Sequence, residues 1–178
     1  MLVFSSQMVL TSAMMTTHHR HEFVVPKGAK RLVVDFSYSP KYETNTQRLY
    51  PEARVLLKKA YGEYPLSEEG EAYVDAMAQR VSQQASNLIT LSLDAPDGFA
   101  GASHRQEDPI RVALDEKEAT PGYLPREIVP GTWAVWLHLH SVASPHVSCS
   151  LQVTVEGIFD ENPLGRDIAG HAPGEEEA

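Results

Sequence analysis

His138 and His140 stand two residues apart in the stretch "LHLHSVAS". Alternate side chains of a β-strand share a face, so both imidazoles point the same way and could hold one divalent transition metal. A catalytic zinc takes about three protein ligands and keeps one position open. The 38 residues after His140 add only His146 and His171. His18, His19 and His21 in "TTHHRHEF" lie far upstream and are the further imidazoles that a completed site would draw on. A strand whose polar face happens to carry two histidines, with no cofactor, is the expectation. A divalent transition metal on His138 and His140 is the alternative.

Other residues capable of chemistry read more simply as structure. Asp94 and Asp97 with Gly98 and Gly101 could place oxygens around Ca²⁺, but proline, aspartate and glycine in "APDG" are what a reversal itself requires. Cys149 sits inside the strand-like run "HVSCSLQV", which predicts a buried, inert thiol. No Gly-x-Ser-x-Gly elbow occurs, so no serine is singled out as a nucleophile. Trp136 and several tyrosines fall near loops or off the apolar faces, where an exposed ring can stack on a carbohydrate or anchor a protein.

The elements that must position these groups are mostly strands. Trp133, Val135, Leu137 and Leu139 form one apolar face of "TWAVWLHLHSV", and Ala134, Trp136, His138 and His140 form the other. Ile89, Leu91 and Leu93 alternate with Leu88, Thr90, Ser92 and Asp94. Leu32, Val34 and Phe36 alternate beyond a Pro-Lys-Gly turn, and Ile110, Val112 and Leu114 do so in "PIRVALDE". "VSCSLQVTVEGIF" is the last strand. Residues 50–87 break this pattern with two helical segments. One starts around Pro51 and stops at Gly62. The other is capped by Ser67, with Glu68 and Glu69 at its positive end. Val74, Met77, Ala78, Val81, Ala85 and Leu88 form its apolar stripe. Residues 1–22 read as a lead-in or an edge strand, 23–161 as a β-sandwich domain, and 162–178 as a flexible acidic tail. The fold class is mainly β: an antiparallel β-sandwich or jelly roll with a helical insertion.

The 178 residues suffice for one domain with a proper core. A net charge of −9 argues against nucleic acid and against an anionic membrane surface. The single cysteine excludes an internal disulfide and favours a reducing compartment. The apolar start has no Lys or Arg before its hydrophobic part, so it makes a poor signal peptide, and a cytoplasmic location is expected.

"FVVPKGAKRLVVDFSYSP", "ITLSLDAPDGFAG", "ATPGYLPREIVPGTWAVWL" and "SLQVTVEG" occur in that order. Together they resemble the β-sandwich domain ahead of the catalytic domain in PHP-type metallo-hydrolases similar to carbaryl hydrolase. The resemblance covers about residues 23–157, apart from the helical insert, and its specific pieces are "DGFAG" and "ATPGYLP…PGTW". Ala95 and Ala100 replace an acid and an arginine of the family loop, and Arg126 and Glu127 stand where Gly-Pro is usual. The resemblance implies an accessory module without the hydrolase domain, and it carries over no catalytic residue. Gly131 ahead of His138 and His140 also looks cupin-like, although the glutamate of that pattern is missing. The expected function is therefore a non-catalytic binding or assembly module, accessory to a separate PHP-type hydrolase. A protein partner or self-association is expected. The alternatives are a small cupin-like metal enzyme and a carbohydrate-binding module.

Overall fold

The computed structural model describes residues 1–61, 66–104, 107 and 109–159. Among the described residues, eight strands form two antiparallel four-stranded sheets, in keeping with the alternating sequence. The first sheet contains β1 (Leu2–Leu10), β3 (Ala29–Ser39), β6 (Ile110–Asp115) and β8 (Val147–Gly157), in the order β1-β8-β3-β6. The second contains β2 (His18–Val25), β4 (Leu88–Ala95), β5 (Gly98–Ser103) and β7 (Gly131–Ser141), in the order β2-β7-β4-β5. Helices α1 (Thr46–Ala60) and α2 (Glu68–Gln83) join β3 to β4.

The core lies between the sheets. Trp133, Val135, Leu137 and Leu139 of β7 and Ile89, Leu91 and Leu93 of β4 are buried there with Leu32, Val34 and Phe36 of β3 and Leu151, Val153 and Val155 of β8. Each such side chain contributes about 1.5–3 kcal/mol through burial. Trp133 keeps its indole N–H satisfied by donating to the Val129 carbonyl at 2.9 Å.

Residues 1–22 hold β1 and the start of β2, which lie at the edges of the two sheets. β1 pairs along β8, and β2 begins at His18 and pairs along β7. The tail at 162–178, with His171, lies outside the described residues.

The insert holds two helices, as its patterning predicts, but the first starts earlier than Pro51 suggests. Asn45 caps it, its side chain accepting from Arg48 N at 3.2 Å, and Pro51 falls inside the helix. A capping side chain that satisfies a free N–H outweighs the preference of proline for the first turn. Gly62, the expected stop, lies outside the described residues; α1 ends at Ala60. Ser67 caps α2 as expected, accepting from Gly70 N at 3.2 Å. In the α2 stripe Val74 and Ala78 are buried, while Val81 is exposed.

The helices pack on each other, and Arg54 of α1 reaches both Glu71 and Asp75 of α2. Polar contacts fasten the foot of the insert to the sandwich. Asn87 donates to the Pro40 carbonyl and to Ser144 Oγ, both at 2.9 Å, and the Tyr38 hydroxyl donates to the Asn87 carbonyl at 3.0 Å. Arg48 donates to the Ala143 carbonyl.

The segments "DGFAG" and "ATPGYLP" meet in space. Gly101 of β5 bridges Tyr123, Ala102 N donates to Gly122 O, and Leu124 N donates to Ala100 O, each at 3.0 Å. Gly101 has φ +132°, and a Cβ there would lie 2.4 Å from Tyr123 Cα, so only glycine fits this crossing.

Candidate binding face on the second sheet

The outward residues of β4 and β7 form a repeated cross-strand pattern. In backbone register Thr90 lies opposite His138, Ser92 opposite Trp136 and Asp94 opposite Ala134. The side chains join diagonally, each β4 residue reaching the β7 residue two places beyond its direct partner. Thr90 Oγ1 meets His140 Nε2 at 2.9 Å, and Ser92 Oγ meets His138 Nε2 at 2.8 Å. Asp94 Oδ2 accepts from Trp136 Nε1 at 2.7 Å. The right-handed twist of a sheet brings one diagonal within reach of long side chains, which accounts for the consistent offset.

β2 extends the pattern on the far side of β7. His18 stands directly opposite His138, and the two Nδ1 atoms are 2.8 Å apart. One ring must supply the N–H and the other its lone pair. Arg20, opposite Trp136, places its guanidinium 5.8 Å from the centre of the indole ring and pairs with Glu22. His18, Ser92, Asp94, Trp136 and His138 line a shallow depression of about 220 Å³.

Strand alternation splits the upstream histidine cluster. His18 is exposed on the outer face, whereas His19 and His21 turn toward the inter-sheet side. The His21 ring lies 5.9 Å from that of Phe4, and its Nε2 is buried without a hydrogen-bond partner. Burial, and secondarily the neighbouring His19, pushes the His21 pKa below its ordinary value. His19 Nε2 meets Thr17 Oγ1 at 2.9 Å.

His138 and His140 share a face as their spacing requires, with ring centroids 6.4 Å apart. They belong to different pairs, however: His138 faces His18, while His140 lies 5.9 Å from the ring of His104. The His138 pKa is pushed down, first by burial and then by His18, His140 and His104, with Asp94 opposing. Among the described residues no group of three His, Cys, Asp or Glu side chains is placed to hold a metal together.

The remaining candidates are committed elsewhere. Asp94 holds the Trp136 indole, and Asp97 pairs with Arg126 across the β4–β5 turn. Arg126 also donates to the Phe99 carbonyl at 3.3 Å and lies 5.6 Å from the Trp133 ring centre, so it braces the turn. Burial pushes the Cys149 thiol up to about 12.

Sequence reasoning did not find Thr90, Ser92 and His104 as part of this face. The alternation of Thr90, Ser92 and Asp94 is visible in the chain, but the diagonal pairing that gives it meaning depends on strand order and register. A scan against protein-family models finds no match for this chain, and a search of curated proteins finds no relative.

Proposed function

We propose that the protein is a non-catalytic β-sandwich binding and assembly module, accessory to a separate PHP-type metallo-hydrolase and acting through the outer face of the second sheet. The observation that carries this reading is the diagonal series Thr90–His140, Ser92–His138 and Asp94–Trp136. Its side chains are already oriented by one another, so little side-chain freedom remains to be lost when a partner docks. A half-buried tryptophan flanked by an arginine is also the kind of anchor that concentrates binding energy at protein interfaces. His138 and His140, the alternative metal candidates, both spend their Nε2 atoms on hydroxyl groups, an arrangement that suits recognition better than proton transfer. A protein partner is favoured over a carbohydrate because Arg20 stands over the indole ring on which a sugar would stack.

The test has two arms. The purified, untagged chain is assayed against ester, phosphoester and carbamate substrates, and no turnover is expected; turnover abolished by His138→Ala overturns the proposal. Sedimentation of the chain alone and with a PHP-type hydrolase from the same source then measures association. Self-association or complex formation weakened at least tenfold by Trp136→Ala is expected. Association unaffected by Trp136→Ala, or a chain that stays monomeric and free, removes this face as the docking surface.

A further inference from the structure

We propose that His18 and His138 form a two-imidazole clip for a divalent transition metal, fastening edge strand β2 to β7. The inference is independent of the assembly reading, because metal binding and partner binding are read by separate measurements.

Three features of the face support the clip. The two histidines are directly opposed on neighbouring strands, so both side chains leave the sheet side by side. Their Nδ1 atoms face each other at 2.8 Å. Two nitrogen ligands at ordinary zinc distances sit about 3.3 Å apart in a tetrahedral site. Opening the pair by about half an ångström reaches that spacing, and the ring that holds the Nδ1 proton carries it on Nε2 instead, so that both Nδ1 lone pairs face the ion. The far nitrogen of His138 is held by Ser92 Oγ at 2.8 Å, the outer hydrogen bond that fixes the orientation of a metal-ligating imidazole.

The surroundings suit a cation with two protein ligands and water in its other positions. His18 is exposed, and the pair opens into the depression that Ser92, Asp94 and Trp136 complete. Asp94 brings a carboxylate to that depression while its Oδ2 stays on the Trp136 indole, so it can offset the charge of the ion without leaving the series. Imidazole ligands select zinc, copper or nickel over magnesium or calcium. His140 is not part of the clip: its Nε2 meets Thr90, and its ring lies nearer to that of His104 than to that of His138.

The clip also has a structural consequence. β2 is an edge strand, held by β7 on one side alone within its sheet. An ion bound to both strands stabilises only the paired state, so the melting temperature rises with metal concentration.

The experiment titrates the untagged full chain with Zn²⁺ in a calorimeter and follows thermal unfolding with and without the ion. One ion per chain is expected. At about a hundred times the dissociation constant the melting temperature should rise by roughly 5–10 °C. His18→Ala and His138→Ala should each weaken binding at least tenfold and remove the rise, whereas His140→Ala should keep both. Mg²⁺ should produce neither. Absence of binding by the unsubstituted chain overturns the proposal, as does binding that survives His18→Ala or is lost equally in His140→Ala. Should His138→Ala fail to fold, Ni²⁺ added to the unsubstituted chain decides by NMR. The ring protons of His18 and His138 should broaden before those of His140 and His104, and the reverse order overturns the clip.

Discussion

Asn87 and Ser144 are joined twice. The Asn87 amide donates to Ser144 Oγ at 2.9 Å, and its carbonyl oxygen accepts from Ser144 N at 3.1 Å. The same amide donates to the Pro40 carbonyl, and the Asn87 backbone N–H donates to Lys41 O, so one buried residue ties together the exit of β3, the entry of β4 and the loop after β7. The helical insert enters and leaves through this knot, where β3 and β4 pass to different sheets. Asn87→Ala should destabilise the protein by about 2–4 kcal/mol, since it leaves the buried Ser144 without its side-chain partner and takes a donor from the Pro40 carbonyl. Urea unfolding measures this; a loss below about 0.5 kcal/mol would mean that other contacts hold the insert.

Two glycines separate backbone strain from crowding. Gly98 and Gly101 both have positive φ, +128° and +132°. A Cβ at Gly98 meets nothing within 4 Å, while at Gly101 it would strike the backbone of Tyr123 and Gly122. Gly98→Ala should cost about 1 kcal/mol from conformation alone. Gly101→Ala should cost about 3 kcal/mol or more, because the loop at 119–124 must move off β5. Equal losses in thermal melts would show that the close approach of Tyr123 is not what requires glycine.

Cys149 should be silent toward thiol reagents in the folded protein. Burial lifts its thiol to about 12, so at pH 8 almost none of it is thiolate, and the side chain lies within the core. Reaction with a disulfide reagent should proceed at the rate of unfolding and become rapid in denaturant. Fast labelling of the native chain would place the thiol outside the core.

Stability should fall as the solution is made mildly acidic. The folded-state pKa of His21 lies below its ordinary value near 6.5, so between the two values the unfolded chain binds more protons than the native one. The contribution is therefore full above about 6.5 and is lost as pH falls toward the depressed value. His138 is shifted the same way and adds to the trend. His21→Leu should reduce the slope of stability against pH between pH 7 and 5 without abolishing it. An unchanged slope would assign the dependence to other groups.

Much of the architecture is legible in the chain because strands declare their faces by alternation. The apolar sets of β4 and β7 are those the sequence marks as core, and Thr90, Ser92, Asp94, Trp136, His138 and His140 are marked as their opposite faces. Ser67 announces α2 for the same local reason, since a cap acts within three residues. Pro51 misleads about α1 because proline is permitted in the first turn without defining it, whereas the Asn45 side chain actually satisfies a free backbone group.

Alternation likewise says that His18 shares no face with His19 or His21 once that stretch is a strand, yet the polar run reads as readily as a turn. β2 is strand because β7 pairs with it, 120 positions away in sequence between His18 and His138. Local composition thus determined which side chains leave the sheet and in what order along each strand. Strand order and register, set by the closing of two apolar faces over one core, decided that His138 meets His18 and Ser92, and that His140 meets Thr90 and His104. Period and propensity act over a few residues, while the pairing of β2, β7 and β4 is a property of the whole sandwich.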